Sequence, residues 1–501
     1  MNWKVIWRSL SHKDMRKRIL AVAGILLVYR ILAHIPVPLS NPATLRQVLQ
    51  NLFNSSNTPQ LLSFVNVLSG GALANFSIMI AGLSPYINAS VIMQLLTKAI
   101  PQLEALHKEG ESGQKKINQY TRMLTLPLAI IQSIGSIFLI RQAAQSIGGI
   151  GDITANTSIV QWGLMAAALA GGSMLLMWLG ELATEQGLGN GISLLITVSI
   201  VSRLPQTITE IGSAFLKTND RFKLFGHTLP LDKSSLIVGS IAVVAVLIVT
   251  WAVVKLNEAA RNITVNYAKR VQGNRAYGGV TTILPVKLIT AGVIPIIFAV
   301  AFLSVPSFAG QLLANNHSAR IQHIAADLVT WFQPPTAASI HTGWTAWIYP
   351  LTYFFLVFVF TFFYTSITFN AKEIAENLQK QGGFVEGVRS GAQTEQYLSA
   401  VINRLTLFGA FCLGLLALLP IVAQMFIGTS IAIGGTSILI LVAVSLQTLR
   451  AVESRALMVT YDQYSEPDFF VDMESTDIVS PKKRRFSLLP FRRTKSNSKA
   501  S

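Results

Sequence analysis

Charged residues are scarce in this 501-residue chain, at 13% of the sequence against roughly 25% in a typical soluble domain. Acidic residues are the scarcest, with 23 Asp and Glu against 40 Lys and Arg, which leaves a net charge of +17. Hydrophobic residues make up 51% of the chain. This composition argues against a soluble fold. In a membrane protein an excess of positive charge can encode orientation rather than nucleic-acid binding.

Cysteine is nearly absent. The single thiol, Cys412, lies in an apolar run, so it permits neither an intrachain disulfide nor a multi-cysteine metal site. The seven histidines are scattered, without the spacing of metal ligands and without a neighbouring carboxylate cluster. We therefore expect no zinc site and no catalytic triad. We also expect no cofactor and no enzymatic activity.

Apolar runs long enough to cross a bilayer recur along the chain, since a crossing helix needs about 20 mostly apolar residues. The first run follows a basic segment and resembles a secretory signal peptide, but no cleavage site follows it and nine more spans do, so we predict that it is retained. The ten predicted cores are 19–38, 76–97, 123–141, 159–180, 191–209, 234–255, 286–306, 345–369, 404–424 and 431–448.

Basic residues concentrate in alternate connections, and positive residues stay on the cytoplasmic side. The N-terminal segment, the connections after spans 2 and 6, and the tail are rich in Lys and Arg, whereas those after spans 3, 7 and 9 are poor. The stretch after span 5, with four basic residues, weakens the pattern without reversing it. Both termini are predicted to be cytoplasmic, which an even number of spans satisfies.

The tail from residue 449 is first acidic and then basic, a composition typical of disorder. It could attach to anionic lipid, it could bind ribosomal RNA, or it could simply be solvated. The sequence leaves these three interpretations open.

Residues 61–96 form a run of 36 without one Lys, Arg, Asp or Glu, which is too long for a single crossing. Gly70, Gly71, Gly82 and Pro85 interrupt it, and non-helical backbone at membrane depth must be buried in protein or line a cavity. We predict a short re-entrant helix at about 62–73 that turns back and lids a cavity, followed by a true span. A long tilted helix with a glycine kink is the alternative.

Gly187, Gly189 and Gly191 resemble a phosphate-binding loop. The dinucleotide version needs a preceding strand within a βαβ unit, whereas membrane spans flank this one. We therefore predict a tight cytoplasmic hairpin in which glycines permit positive φ and close helix approach.

Acidic residues are missing from the interior of all ten predicted cores, and the basic exceptions, Arg30 and Lys287, lie near ends or beside polar residues. Ion-coupled transporters generally carry ionisable residues inside the membrane. Their scarcity argues against coupled transport and favours either a structural membrane protein or a passage with an apolar lining, whose constriction would block ions by dewetting.

Two cytoplasmic connections are long and polar. Residues 260–279 alternate apolar and polar through Ile263, Val265 and Tyr267, which predicts a basic β-hairpin. Residues 369–398 predict a helical stretch followed by a glycine-rich turn centred on Arg389. Exposed basic tips with aromatic neighbours favour docking to a large partner such as one that carries RNA. The alternative is that these charges only set the orientation.

Eight motifs in chain order resemble those of the SecY family, the channel-forming subunits of the general protein translocase. The resemblance runs from about residue 4 to 450. The motifs are SGGAL at 69–73, SPYINAS at 84–90, KEGESGQKKINQYTR at 108–122, GELATEQGLGNGIS at 180–193, VNYAKR at 265–270, AGVIP at 291–295, FNAKEIAENLQKQGGF at 369–384 and GGTS at 434–437.

The resemblance implies an all-α polytopic membrane protein whose ten helices form two inverted five-helix halves around an hourglass pore with a re-entrant plug helix. It divides the chain into a basic cytoplasmic N-terminus (1–18), an N-terminal half (19–210), a C-terminal half (211–450) with docking loops at 256–283 and 370–402, and a cytoplasmic tail (451–501).

The resemblance also assigns site residues. The plug at about 62–76 carries Ser69, Gly70, Gly71, Ala72 and Leu73. The pore ring falls on Leu83, Ile87, Ile196, Ile200, Ile297 and Ile440, and the spacing of four places 83 with 87 and 196 with 200 on one helix face. The docking residues are Arg261, Lys269, Arg270 and Arg389.

The implied function is translocation of unfolded secretory polypeptides across the bacterial plasma membrane, with lateral release of apolar segments between spans 2–3 and 7–8. The implied partners are SecE, SecG, the SecA ATPase, the ribosome, signal-sequence-bearing polypeptides and lipids, with contacts to SecDF and YidC. The subunit itself would hydrolyse nothing.

Three residues depart from the family pattern: Glu386 and Ser390 stand at positions usually occupied by proline, and Asn262 stands where a second arginine is common. A more flexible and less basic loop puts the strength of motor docking in question. Two alternatives to a general channel remain, an accessory paralogue for a few substrates and an inverted-repeat secondary transporter.

Overall fold

The structure, a computed structural model, describes most of the chain. The described residues are 13–37, 69–72, 76–146, 158–202, 205, 209, 221–313, 318–333, 335, 343–427 and 435–465, with short gaps at 225–226, 268–269, 273–274, 278, 280, 291 and 293. Helices dominate them.

The regular secondary structure in the described residues of the first part of the chain is helical. The helices are α1 (Lys13–Leu32), α2 (Ser84–Ala99), α3 (Pro101–Lys108), α4 (Glu111–Ser146), α5 (Ile159–Glu185) and α6 (Gly191–Val201).

Seven further helices and seven strands follow. They are β1 (Arg221–Leu224), β2 (His227–Asp232), α7 (Lys233–Glu258), β3 (Ala260–Tyr267), β4 (Arg270–Gln272), β5 (Arg275–Tyr277), β6 (Thr281–Lys287), α8 (Ile294–Leu313), α9 (Ala319–Phe332), α10 (Thr345–Thr368), α11 (Ala371–Lys380), β7 (Gly383–Val385), α12 (Ala392–Ile427) and α13 (Gly435–Ser465).

A helix overlaps every one of the ten predicted cores. Within the described residues, four helical stretches have both the length and the hydropathy of a membrane span, and two further helices are apolar but shorter. The count of ten crossings stays a prediction. The four long stretches are Glu111–Phe138, Ile159–Glu185, Thr345–Lys380 and Ala392–Val422, and the two short ones are Gly191–Val201 and Ile294–Ser307.

Two predicted span starts are wrong. The core predicted at 76–97 begins only at Ser84, because residues 76–83 form turns in which Phe76 (φ 47°) and Gly82 (φ 58°) have positive φ. The core predicted at 286–306 begins at Ile294, because 281–287 is strand β6 and Gly292 turns the chain at φ 60°. Positive φ is incompatible with a continuing right-handed helix.

The prediction of a disordered tail from residue 449 is also wrong over its first part. Helix α13 continues to Ser465 because its apolar residues still have packing partners. Ala456 is fully buried, and Val452 packs on a small cluster formed by Met15, Val22 and Leu188. Residues 466–501 lie outside the described part of the chain, as do most residues of the span predicted at 191–209 beyond Ser202.

The sequence did not predict two further elements. Helix α9 packs against α8 and α10, and Gly310 of α8 lies so close to it that a Cβ there would stand 2.9 Å from the Ala325 carbonyl oxygen. Strands β1 and β2 form an antiparallel hairpin before α7. Both insertions lie in connections between predicted spans.

One large apolar cluster joins both halves of the chain and includes residues of α1, α2, α5, α6, α7, α8, α10, α12 and α13. Lipid tails are as apolar as leucine, so helices in a membrane associate through close packing rather than through the hydrophobic effect. Gly172 of α5 packs against the Ile78 carbonyl, and Gly191 of α6 packs against the Gly180 carbonyl, so closely that a Cβ on either glycine would overlap the oxygen.

Candidate functional site

The six predicted ring residues all belong to the large apolar cluster. Five of them are at least 92% buried, and Ile297 is partly buried against the same cluster. Four helices supply them: Leu83 is the N-cap of α2 and Ile87 lies in its first turn, and the others come from α6, α8 and α13. Every one is an aliphatic side chain without a hydrogen-bonding group, so none of them can replace the water molecules that hydrate an ion.

The start of α2 is set by Pro85, which occupies the first turn, where proline lacks only an N–H that would have no partner anyway. The residue before the helix, Leu83, has φ −88° and ψ −3°. This abrupt start places Leu83 and Ile87 at the end of the helix that faces the turns of 76–83.

The described part of the predicted plug is a turn rather than a helix. Ala72 donates its N–H to the Ser69 carbonyl at 3.3 Å, and Gly70 (φ 65°) and Gly71 (φ 88°) are left-handed. The helix predicted at about 62–73 is therefore wrong over the described residues 69–72. Leu73 and residues 62–68 lie outside the described residues.

Two neighbouring helices hold this turn, which is deeply buried at Ser69 (2% exposed) and Ala72 (0%). From α1, Arg30 Nη1 donates to the Gly70 carbonyl at 2.8 Å and to Ser202 Oγ at 3.1 Å. The Tyr29 hydroxyl lies 2.5 Å from Ser199 Oγ of α6 and 3.3 Å from the Ser69 carbonyl. None of these contacts was predicted from the sequence, and the only signal was Arg30, a cation inside an apolar run.

The two predicted docking loops form one folded unit. The hairpin prediction for 260–279 is confirmed and extended, since β3 pairs antiparallel with β6 and the short hairpin β4–β5 lies between them. Strand β7 of the other loop adds to the free edge of β3, giving the order β6-β3-β7. The predicted helix and glycine-rich turn of the second loop are confirmed as α11 and the turns that precede α12.

This unit has a core of its own, separate from the large apolar cluster that joins the helices. The inward face of the sheet packs against α11 and the first turns of α12. Its buried members are Ile263, Val265, Val286, Ala375, Val385, Leu398, Val401 and Ile402.

The predicted docking residues lie on this unit where they are described. Arg261 is exposed at the start of β3, and Arg389 is exposed in the turn after β7, with its carbonyl accepting a hydrogen bond from Thr394 Oγ1 at 2.9 Å. Arg270 begins β4. Lys269 lies outside the described residues, and Glu386 and Ser390, the two departures at proline positions, are exposed.

The glycine loop between α5 and α6 is the tight hairpin that the sequence predicts. Gly187 (φ 71°) and Gly189 (φ 123°) are left-handed, and the Asn190 carboxamide oxygen accepts from the N–H groups of 192 and 193 at the start of α6. This N-terminus is therefore capped by the chain itself. Arg18 of α1 donates to the Gln186 carbonyl at 3.0 Å and ties the hairpin to the first helix.

An ion pair that the sequence did not predict joins two spans. Arg122 of α4 binds Glu181 of α5 through two bonds, Nη2 to Oε2 at 2.7 Å and Nε to Oε1 at 2.9 Å. The Glu181 side chain is only 17% exposed. Such a two-bond contact fixes the relative position of the helices as well as neutralising the carboxylate.

Among the described residues, five buried polar side-chain atoms have no hydrogen-bond partner, and all five lie on the four helices that would frame a lateral opening. These atoms are Asn88 Nδ2 and Gln94 Oε1 on α2, Ser133 Oγ on α4, Ser307 Oγ on α8 and Tyr353 Oη on α10. Helix α8 contacts both α2 and α4. Unpartnered polar atoms destabilise the packed arrangement in which they lie.

Comparison with known proteins places the chain in one family. The SecY family model matches residues 77–449. The protein translocase subunit SecY of Streptomyces galbus is 39% identical over 463 residues, which cover 91% of this chain and 98% of that protein.

Three solved structures share the fold, each covering 89% of this chain and 94% of theirs. They are a protein-conducting channel (TM-score 0.59, 18% identity), a SecY structure described for its plug domain (0.58, 17%) and Sec61 in the canine ribosome-channel complex from the endoplasmic reticulum (0.56, 18%).

Proposed function

This chain belongs to the SecY family and is a protein-conducting membrane channel, and on that premise we propose that it moves unfolded secretory polypeptides across the bacterial plasma membrane. The family is one of channels rather than of catalysts, so the work of transport comes from partners. Nothing in the comparisons favours the secondary transporter or the accessory paralogue.

The observation that supports the proposal is that six aliphatic residues from four helices, assigned to the ring by resemblance, share one buried apolar cluster with Ala72 of the Ser69–Ala72 turn. Branched aliphatic side chains make no fixed hydrogen bonds, so they can yield around any polypeptide sequence while excluding ions and water. The turn acts as the plug that closes this ring at rest.

Lateral release of apolar segments occurs between α2–α4 and α8–α10. The driving force is the transfer of apolar surface to lipid, about 25 cal/mol per Å². The unpartnered polar atoms on these four helices support this assignment, because such atoms lower the stability of the packing around the helices that carry them. We call the contact between α2–α4 and α8–α10 the seam, and a less stable seam opens at a lower free-energy cost.

The cytoplasmic unit built from β3, β6, β7 and α11 is the docking platform for SecA or the ribosome, with Arg261, Lys269, Arg270 and Arg389 as its basic contacts. Its separate core supports this role, since it presents both loops as one rigid surface. Glu386 and Ser390 weaken the platform relative to a proline-bearing one.

The remaining partners follow from the same assignment. We place SecE and SecG beside the channel subunit, signal-sequence-bearing polypeptides in the pore, and lipids around it, with contacts to SecDF and YidC. Both termini lie in the cytoplasm, as the distribution of basic residues predicts.

The deciding experiment places a photocrosslinking amino acid at Ile196 and runs a stalled secretory chain through the complex. We expect the nascent chain to be captured there, while the same probe at Ile131, a 55% exposed residue of α4, captures little. Labelling at Ile131 without capture at Ile196 would overturn the pore assignment.

A further inference from the structure

Arg30 is a charged side chain in the last turn of the first membrane helix, and its contacts are unusual. Within the described part of the chain no carboxylate pairs with it. Its guanidinium instead donates to two neutral oxygens, the Gly70 carbonyl of the plug turn and the Ser202 hydroxyl just after α6. Arg30 is partly buried, and a guanidinium with reduced access to water needs such acceptors, because an unsatisfied charged donor is costly.

The hydrogen-bond directions around Arg30 are mutually consistent. Ser202 Oγ donates its own proton to the Ser199 carbonyl at 2.8 Å, which leaves a lone pair to accept from Arg30. One Nη1 carries two protons, so it can bind the Gly70 carbonyl and Ser202 at once. Arg30 therefore bridges the plug turn and the end of α6.

The turn fits this bridge closely. A Cβ on Gly70 would lie 2.9 Å from the Tyr29 hydroxyl and 3.1 Å from the Ser199 Cα, so only glycine lets the carbonyl reach Arg30. Its φ of 65° also favours glycine. Tyr29 adds a second contact through its hydroxyl, which lies between Ser199 and the Ser69 carbonyl.

The chain that follows the turn, at 76–78, is held by backbone hydrogen bonds rather than by side chains alone. The chain after α1 pairs with the chain after the turn through backbone bonds, Val37 N–H to the Phe76 carbonyl at 2.9 Å and Ile78 N–H to the Ile35 carbonyl at 3.0 Å. Ser77 Oγ adds a bond to the Leu32 carbonyl at 2.9 Å. The backbone attachment at 76–78 can therefore persist when the side-chain contacts at 69–70 break.

We propose that Arg30, acting through the Gly70 carbonyl and Ser202, is a positioning residue that latches the plug turn to α6 and sets how readily the pore opens. The attachment at 76–78 is the hinge about which the released turn moves. The inference rests on the proposed function of 69–72 as a plug, and it adds the residue that holds the plug in place.

The test measures the accessibility of the plug turn directly. Cys412→Ser removes the only thiol, and Ala72→Cys then reports on a fully buried position of the turn. The channel complex with SecE and SecG is placed in lipid nanodiscs, so a membrane-impermeant maleimide reaches both faces. His323→Cys on α9, in a separate variant, provides an exposed reference thiol.

We expect the thiol of Ala72→Cys to label slowly when Arg30 is present and about tenfold faster or more in Arg30→Met, the size of effect expected for losing a charge-assisted hydrogen bond. Ser202→Ala should accelerate labelling less than Arg30→Met does. The labelling rate of Arg30→Lys should fall between those of wild type and Arg30→Met, since lysine keeps the charge but lacks the planar set of N–H donors of a guanidinium. Arg320→Met, on the exposed surface of α9, is the matched control and should have no effect.

A second measurement does not depend on an introduced cysteine. Resting ion conductance of the complex in planar bilayers should rise in Arg30→Met and stay at the wild-type level in Arg320→Met. Slow labelling and unchanged conductance in Arg30→Met would overturn the latch while leaving the plug intact. If the plug-turn thiol labels as fast as the reference thiol on α9 while Arg30 is present, the plug assignment itself is overturned.

Discussion

Val265 of β3 and Val385 of β7 are directly paired strand residues, although they belong to cytoplasmic connections separated by the whole of α8, α9 and α10. Both side chains are buried in the same small core, at 2% and 4% exposed. The two connections are therefore one structural unit, and a substitution that unfolds one of them should also unfold the other.

We expect Val385→Asp to unfold this cytoplasmic unit, because it buries an unpaired carboxylate at a cost of about 3 kcal/mol or more. Limited proteolysis should then cleave both connections, 256–283 and 370–402, and SecA binding should weaken at least tenfold. The pore should stay closed, since the apolar membrane cluster does not include Val385.

The matched control is Phe384→Asp, one residue earlier in β7, where the side chain is 40% exposed on the outer face. This variant should resist protease like the wild type. Cleavage confined to the second connection in Val385→Asp would contradict the single-unit description.

The ion pair between Arg122 and Glu181 should contribute measurably to stability. We expect Glu181→Gln and Arg122→Gln each to lower the thermal midpoint of the purified complex, and the double variant to lose less than their sum. A double-mutant cycle should give a coupling energy of about 1 kcal/mol, since half of the Arg122 side chain is exposed.

An exposed pair in the same half of the chain provides the comparison. Lys108 Nζ lies 2.9 Å from Glu104 Oε1 in α3, and this hydrogen bond holds the pKa of the Glu104 carboxyl below its usual value. The side chains are 67% and 41% exposed, so both ends of the pair are more accessible to solvent than those of the α4–α5 pair. Glu104→Gln should leave the midpoint unchanged. Equal effects of Glu104→Gln and Glu181→Gln would contradict a special role for the α4–α5 pair.

Sequence patterns predicted those parts of the fold that rest on local signals. The alternation through Ile263, Val265 and Tyr267 predicts β3 because a half-buried strand has a period of two. Strand β7 has only three residues, and its pairing partner is far away in sequence, so no local pattern reveals it. The late starts of α2 and α8 depend on Gly82 and Gly292, whose left-handed conformations interrupt runs that stay apolar throughout.

The candidate site likewise has parts that the sequence predicts and parts that it does not. Ring residues were assigned from motifs, and the structure gathers them into one cluster. The contacts of Arg30 could not be predicted, because they join residues 40 and 172 positions apart in the sequence. Sequence alone indicates only that a cation within an apolar run needs a partner.

Polar substitution in the ring should loosen the closed state. We expect Ile440→Asn or Ile87→Asn to hydrate the apolar constriction and to permit export of precursors with defective signal sequences, each buried isoleucine being replaced by a group that binds water. Ile440→Leu, which keeps the apolar surface, is the control. Unchanged export of signal-defective precursors in both asparagine variants would count against the ring.

Lys287, an exposed residue at the end of β6, has a pKa below the usual lysine value, first because of partial burial and then because of the Arg450 charge. A lowered folded-state pKa means that the protonated lysine destabilises the folded protein, and that this penalty disappears as pH rises through the lowered pKa toward the usual value. Lys287→Met should therefore raise the thermal midpoint at pH 7, and the advantage should shrink toward pH 10. Lys287→Arg, which stays charged, should show no such convergence.

A substitution at Asn88 tests the proposed seam between α2–α4 and α8–α10. Its Nδ2 is buried in α2 without a hydrogen-bond partner, so Asn88→Leu should stabilise the closed seam by about 1–2 kcal/mol. A more stable seam demands a more hydrophobic signal sequence before it opens, so export of precursors with weakly hydrophobic signals should fall while strongly hydrophobic signals are unaffected. Ser136→Ala on α4 is the control, because that hydroxyl already bonds within its own helix, to the Gln132 carbonyl at 2.8 Å. An equal loss of export for precursors with weakly and strongly hydrophobic signals would indicate general damage to the channel, rather than a change in the signal hydrophobicity needed to open the seam.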